Sequence, residues 1–141
     1  MKQAKLDLTK EYKTYYTAKT MPEIVEIEVP REEWGWKLLI RMPEFVTPEI
    51  VEKARQEVIR KKKLKLVNEV KFEKMKEGKC VQILHIGPYS TEPESLEKMY
   101  NLMKEKGLVY NGFHHEIYIS DPRKVAPEKT KTILRQPVRE R

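Results

Sequence analysis

The sequence predicts an α+β fold in which helices cover one face of an antiparallel sheet. Between residues 34 and 120, segments with the two-residue period of strands alternate with two segments that have the spacing of amphipathic helices. The predicted order is strand, helix, strand, strand, helix, strand, which is typical of ferredoxin-like sandwiches. A chain of 141 residues suits one such domain with a modest core.

The N-terminal part is predicted to be a leader, residues 1–22, ahead of a single domain over residues 23–141. The leader is polar with embedded tyrosines, so we expect either a short helix or an arm laid across the domain. Residues 24–29 are rich in β-branched side chains between two prolines, which favours a short edge strand. Residues 34–41 alternate more regularly and place both tryptophans on the face that we expect to point inward.

Two helices are predicted from their start and stop signals. The first begins after Thr47, whose hydroxyl can accept a hydrogen bond from a free backbone N–H, and runs to about Lys62. The second begins with a capping box formed by Thr91 and Glu94, and Gly107 ends it. Each segment carries an apolar stripe at helical spacing, which predicts packing against the sheet.

The remaining strands lie on either side of the second helix. Residues 70–75 and 80–86 are expected to pair as an antiparallel hairpin across a turn that contains a glycine. After the helix, an Asn-Gly pair turns the chain into a strand at residues 113–120. A last extended stretch is predicted at residues 132–138.

The strand at residues 113–120 carries the most informative side chains. Strand alternation places His114, Glu116 and Tyr118 on one face, whereas the other face is mostly apolar. A carboxylate between an imidazole and a phenol can line a pocket for an aromatic or cationic ligand. It can equally be an ordinary strand glutamate that pairs with one of the many lysines, and the residues alone leave both interpretations open.

Composition excludes several classes of protein. Charged residues make up 36% of the chain and hydrophobic residues 39%, which is too apolar for wholesale disorder. No apolar run is long enough to span a membrane, and the basic N-terminus lacks the apolar core of a signal peptide. We therefore expect a cytoplasmic protein with no membrane partner.

A nucleic-acid partner is not expected, although the net charge is +7 and basic residues cluster at 60–65. This cluster falls at the end of the first predicted helix, where cations oppose the negative end of the helix dipole. A metal site is not expected either, because the adjacent His114 and His115 point to opposite faces of a strand. The lone Cys80 is expected to be a small hydrophobe at a strand end, and no cofactor is implied.

Several blocks of sequence together resemble the GyrI-like small-molecule-binding family, in particular its stand-alone members without a DNA-binding domain. The blocks cover most of the chain in the family's order: residues 5–13 and 16–19, WGWKLLIRMPEFVTPE at 34–49, HIGPY at 85–89, HHEIYISDPR at 114–123, and residues 126–129 and 132–138.

The resemblance implies two similar strand-helix-strand-strand units with a ligand groove between them. It implies Glu116 as the central carboxylate of the ligand site. It also implies an aromatic cage drawn from five side chains: Trp34, Trp36, Tyr89, Phe113 and Tyr118. The function implied is binding of hydrophobic, planar or cationic small molecules, as in effector-binding domains that take xenobiotics and multiple drugs.

Two other functions follow from the same resemblance. Some stand-alone family members hydrolyse cyclopropanoid DNA-alkylating toxins, and in that case Glu116 would move a proton or orient water with Tyr118 beside it. An inhibitor of DNA gyrase, acting by protein interaction, is the other alternative. Where family members carry a strand, a helix and a further strand, this chain passes directly from Pro30 to Arg31. Much of the first unit is therefore absent, and a homodimer could supply its counterpart.

Overall fold

The computed structural model describes residues 11–15 and 36–141, with side chains from residue 37 onward. Its strands and helices are β1 Glu11–Tyr15, β2 Trp36–Ile40, α1 Pro48–Lys62, β3 Cys80–Ile86, α2 Glu92–Glu105, β4 Leu108–Tyr110, β5 His114–Tyr118 and β6 Lys131–Glu140. The chain divides into two compact units. The first comprises the described residues up to Arg41 together with Glu77–Arg141, and the second is Met42–Lys76.

The first unit is an antiparallel sheet with α2 packed on one face. The strand order is β2-β1-β5-β6-β3, and β4 also pairs with β6. The ten-residue β6 therefore organises the sheet, because it contacts three other strands. The α+β class with an antiparallel sheet is confirmed.

The core of this unit lies between α2 and the sheet. Met99 and Met103 of α2 are buried against Leu134 and Val138 of β6 and Val81 of β3. Paired residues of antiparallel strands point to the same face of the sheet. The residue that pairs with Leu134 therefore lies on the face that α2 covers. Glu116 of β5 is that partner, and α2 therefore covers the same face that carries the predicted site.

The second unit contains α1 and the 3₁₀ turn Lys65–Glu69. Helix α1 begins as predicted, because the Thr47 hydroxyl accepts a hydrogen bond from the Ile50 backbone N–H at 3.4 Å. No residue of α1 is buried, so the predicted core packing of its apolar stripe is not found. Val46 is the buried apolar residue of this unit.

Three local predictions differ from the structure. Residues 70–78 form no strand, and β3 pairs with β6 instead of with the predicted hairpin partner. The capping box is not formed, because the Thr91 side chain does not cap α2. Part of the predicted leader, Glu11–Tyr15, is a strand between β2 and β5 rather than a helix or an arm.

Other predictions fall outside the described residues: the edge strand at 24–29, Trp34, and the junction between Pro30 and Arg31. The division into a leader and a domain stays a prediction. In the part of the chain that the structure describes, no helix has the length and apolar character to cross a membrane.

Candidate functional site

Glu116 is a buried carboxylate in the interior of the sheet. Its strand, β5, lies between β1 and β6, and only 2% of the residue's surface is exposed. Burial of a carboxylate without polar partners is costly, and one partner here is Tyr118, whose hydroxyl donates a hydrogen bond to Glu116 Oε2. The two residues are neighbours on one face because side chains two positions apart in a strand point the same way.

Tyr118 remains a protonated hydrogen-bond donor over the neutral pH range. Its burial raises the phenol pKa, and the nearby Glu116 carboxylate raises it further. Glu92, the first residue of α2, also raises this pKa and is itself buried. A second acidic side chain therefore contributes to the electrostatics around the Tyr118 hydroxyl.

Tyr89 lies against Tyr118 edge to face, with ring centroids 5.7 Å apart and an interplanar angle of 85°. This geometry is favourable for aromatic pairs. Tyr89 is 42% exposed whereas Tyr118 is buried. The pair thus connects the buried carboxylate with the protein surface through two phenol rings.

The turn that presents Tyr89 is built around His85. The His85 Nδ1 lies 2.9 Å from the Ser95 hydroxyl, and its Nε2 lies 3.1 Å from the Pro88 carbonyl oxygen. The Thr91 hydroxyl donates to the same carbonyl at 2.9 Å. With Nε2 protonated and Nδ1 accepting from Ser95, every one of these contacts is satisfied, which ties the end of β3 to the first turn of α2.

Gly87 is required by this turn. Its φ is +142°, and an added Cβ would lie 3.1 Å from the Thr91 hydroxyl oxygen and 3.5 Å from His85 Nε2. The His-Ile-Gly-Pro-Tyr block at 85–89 therefore has a local structural reason. Hydrogen bonds of His85 hold the turn, and the absence of a side chain at Gly87 leaves space for His85 and Thr91. The turn places Tyr89 against Tyr118.

His114 lies on the Glu116 face of β5, two residues before that buried carboxylate. Burial lowers its pKa to about 4, and the neighbouring His115 contributes in the same direction. The imidazole is therefore neutral at pH 7. His114 pairs with Tyr15 of β1, and Tyr15 pairs with Trp36 of β2. These three backbone positions therefore lie side by side across the sheet.

The opposite face of β5 carries a separate charged cluster. His115 Nδ1 lies 3.3 Å from Glu77 Oε1, and Arg135 forms an ion pair of 2.6 Å with the other oxygen of Glu77. Arg135 also donates to the Gln82 amide oxygen at 2.8 Å. Burial lowers the pKa of His115, and strand alternation places this cluster away from Glu116.

Of the six predicted site residues, the structure brings Glu116, Tyr118 and Tyr89 together. Phe113 precedes β5, belongs to the other face by alternation, and is 45% exposed. Trp34 lies outside the described residues, and Trp36 is described only as a backbone position of β2. Within the described part of the chain, no group of three or more His, Cys, Asp or Glu side chains is arranged to hold a metal ion.

Sequence reasoning missed Glu92 and the role of Ser95. The pattern at residues 91–94 indicated a helix start, and an acid in the first turn is ordinary there. Only the packing of α2 across the strand ends brings these residues to His85 and Tyr118, and no spacing rule connects positions on different elements.

Comparison with known proteins identifies the family. A model of the GyrI-like small-molecule-binding domain matches residues 40–139. The chain belongs to the GyrI-like family. The match includes β5, which carries Glu116 and Tyr118, and the turn before α2, which carries Tyr89. No curated protein matches the chain.

Solved structures of GyrI-like fold from Listeria innocua are similar to this chain. One, called an uncharacterised conserved protein, is 37% identical with a TM-score of 0.80, over 92% of this chain and 63% of its own. A second, called a hydrolase, is 33% identical with a TM-score of 0.77, over 97% and 68%. A third, also called a hydrolase, is 35% identical with a TM-score of 0.77, over 92% and 63%. The chain thus spans about two thirds of their length.

Proposed function

We propose that this GyrI-like chain binds hydrophobic, planar or cationic small molecules, including xenobiotics, beside the Glu116 carboxylate. The observation that carries the proposal is a buried carboxylate in an internal strand that is linked to the surface by two phenol rings in edge-to-face contact. A carboxylate in a low-dielectric site attracts a cation more strongly than one in water. The exposed Tyr89 ring adds a face for a planar or cationic group.

The second candidate function is hydrolysis of a cyclopropanoid ring. It is favoured by the Tyr118 to Glu116 hydrogen bond and by two similar structures that are called hydrolases. In this scheme Glu116 takes a proton from water while the water oxygen bonds to a ring carbon. The carbon–carbon bond of the cyclopropane breaks, and its electron pair moves into a conjugated carbonyl, whose oxygen receives the Tyr118 proton.

Replacement of Glu116 by glutamine tests the binding proposal, because glutamine keeps the shape and removes the charge. Affinity for an aromatic cation such as ethidium should fall by about 1.5–3 kcal/mol, the range for a hydrogen bond to a charged group. Affinity for neutral phenanthridine should stay unchanged. Titration calorimetry measures both, and equal affinity of wild type and variant for the cation would remove Glu116 from the site.

Tyr118→Phe tests the hydrolytic alternative, since it removes the proposed proton donor and keeps the ring against Tyr89. If the chain is a hydrolase, turnover of a cyclopropanoid substrate should fall about a hundredfold or more, the typical share of a positioned acid or base. Substrate binding should persist. Chromatographic detection of the ring-opened product decides the matter, and absence of product from the wild type contradicts this alternative.

A further inference from the structure

A groove lies within the second unit, residues 42–76, which does not contain Glu116. It has a volume of about 510 Å³ and is lined by Val58 of α1, by residues 63–67 of the following turn and by Val70. Small-molecule sites in proteins commonly have volumes of about 300–1,000 Å³. Its apolar side chains face solvent to an unusual degree, with Leu64 54% and Leu66 73% exposed.

The walls of this groove are held in place by Arg55. Its guanidinium donates to the backbone carbonyls of Val67 at 3.3 Å and Asn68 at 3.0 Å, and it also contacts Val70. The same side chain pairs with Glu52 at 3.0 Å. One arginine thus fastens the 3₁₀ turn to α1.

Two lysines give the groove its charge. Helix α1 ends at Lys62, and Lys63 is its C-cap residue. Lys63 and Lys65 lie beyond that end and line the groove. Lys63 has a φ of 51°, a left-handed conformation usually given to glycine or asparagine at a helix end.

We propose that this groove binds a single anionic amphiphile, such as a fatty acid monomer. Its apolar tail would occupy the wall formed by Val58, Leu64 and Leu66, and its acid group would meet Lys63 and Lys65. The charge selects against the aromatic cations assigned to Glu116. The two sites therefore take ligands of opposite charge, and each can be tested without the other.

The test is calorimetric titration of the full chain with three ten-carbon probes at monomeric concentrations: decanoate, decanol and decyltrimethylammonium. Decanoate should bind most tightly, and added salt should weaken it. A Lys63→Gln/Lys65→Gln variant should bind decanoate at least about tenfold more weakly, whereas Lys63→Arg/Lys65→Arg should bind it normally. The control variant Lys53→Gln/Lys98→Gln, which changes exposed lysines outside the groove, should behave as wild type.

Leu66→Asn provides a second route, because it removes tail contacts at an exposed position and keeps both lysines. It should weaken decanoate by about tenfold, since one buried leucine contributes on that scale. Equal binding of the three probes, or loss of decanoate in Glu116→Gln but not in the lysine variant, would overturn the proposal. So would binding only to anionic vesicles and not to the monomer, or a dimer in solution that buries Leu66.

Discussion

At the scale of single residues, the sequence predicted which side chains of one strand lie next to each other. Glu116 and Tyr118 share a face because they are two positions apart in β5, and the structure shows them hydrogen bonded. The contact between Tyr118 and Tyr89 could not be anticipated in the same way. It depends on a turn that is anchored by the contact of His85 with Ser95, a residue of a different element.

Residue-scale electrostatics predict a pH dependence of stability from His114. The folded-state pKa of about 4 lies below the ordinary value of 6.5. Between these pH values the unfolded chain binds a proton that the folded chain does not, so this contribution is intact above pH 6.5 and is lost as the pH falls to 4. We expect the free energy of unfolding to drop by about 2 kcal/mol between pH 7 and pH 5.

Urea unfolding at the two pH values measures this loss. Other groups titrate over the same interval, so the informative quantity is the difference between wild type and His114→Gln, in which those groups are retained. The variant should lose about 2 kcal/mol less than wild type does. An identical pH dependence in both proteins would show that His114 takes up its proton equally well in the folded state.

At the scale of elements, local signals were reliable where they act within one segment. The Thr47 cap of α1 is an example, because the cap and the amide it satisfies are three residues apart. The hairpin predicted for residues 70–75 was wrong because alternation describes a strand but does not supply its partner. The strand that pairs with β3 is β6, which comes more than forty residues later in the chain.

The turn between β3 and α2 gives an element-scale prediction. Gly87→Ala should destabilise the protein by about 1–3 kcal/mol, since alanine disfavours this backbone conformation and its Cβ would crowd Thr91. Because the turn carries Tyr89, affinity for aromatic ligands should fall as well. Chemical denaturation and ligand titration measure the two effects.

Gly107→Ala is the matched control for this substitution. Gly107 also has a positive φ, +63°, but nothing lies within 4 Å of an added Cβ. It should cost about 1 kcal/mol through the backbone alone and leave ligand affinity unchanged. If both variants lost the same affinity, the crowding at Thr91 would not be what positions Tyr89.

At the scale of the whole molecule, the fold class followed from the balance of helical and strand periods, and the family from blocks spread along the chain. The strand order β2-β1-β5-β6-β3 did not follow from either. Placing Glu11–Tyr15 inside the sheet requires pairing with both β2 and β5. Those partners are distant in sequence, and a polar segment gives no local sign of an internal position.

The division into two units predicts that they open independently. Strands β5 and β6 carry the deeply buried Glu116, Leu134 and Val138, whereas no residue of α1 is buried. Stability within a protein follows such differences in burial. We expect backbone amides of α1 to exchange with deuterium about a hundredfold faster than those of β5 and β6, a factor that corresponds to about 2.7 kcal/mol. Hydrogen exchange with mass spectrometry resolves these peptides.

Thr47→Ala shows whether the units are coupled. Loss of the helix cap costs about 1 kcal/mol, so exchange in α1 should become about fivefold faster. Because β5 and β6 belong to the other unit, their exchange should not change. The prediction is wrong if the strands speed up by the same factor as the helix, since equal acceleration means that both units open in one cooperative step.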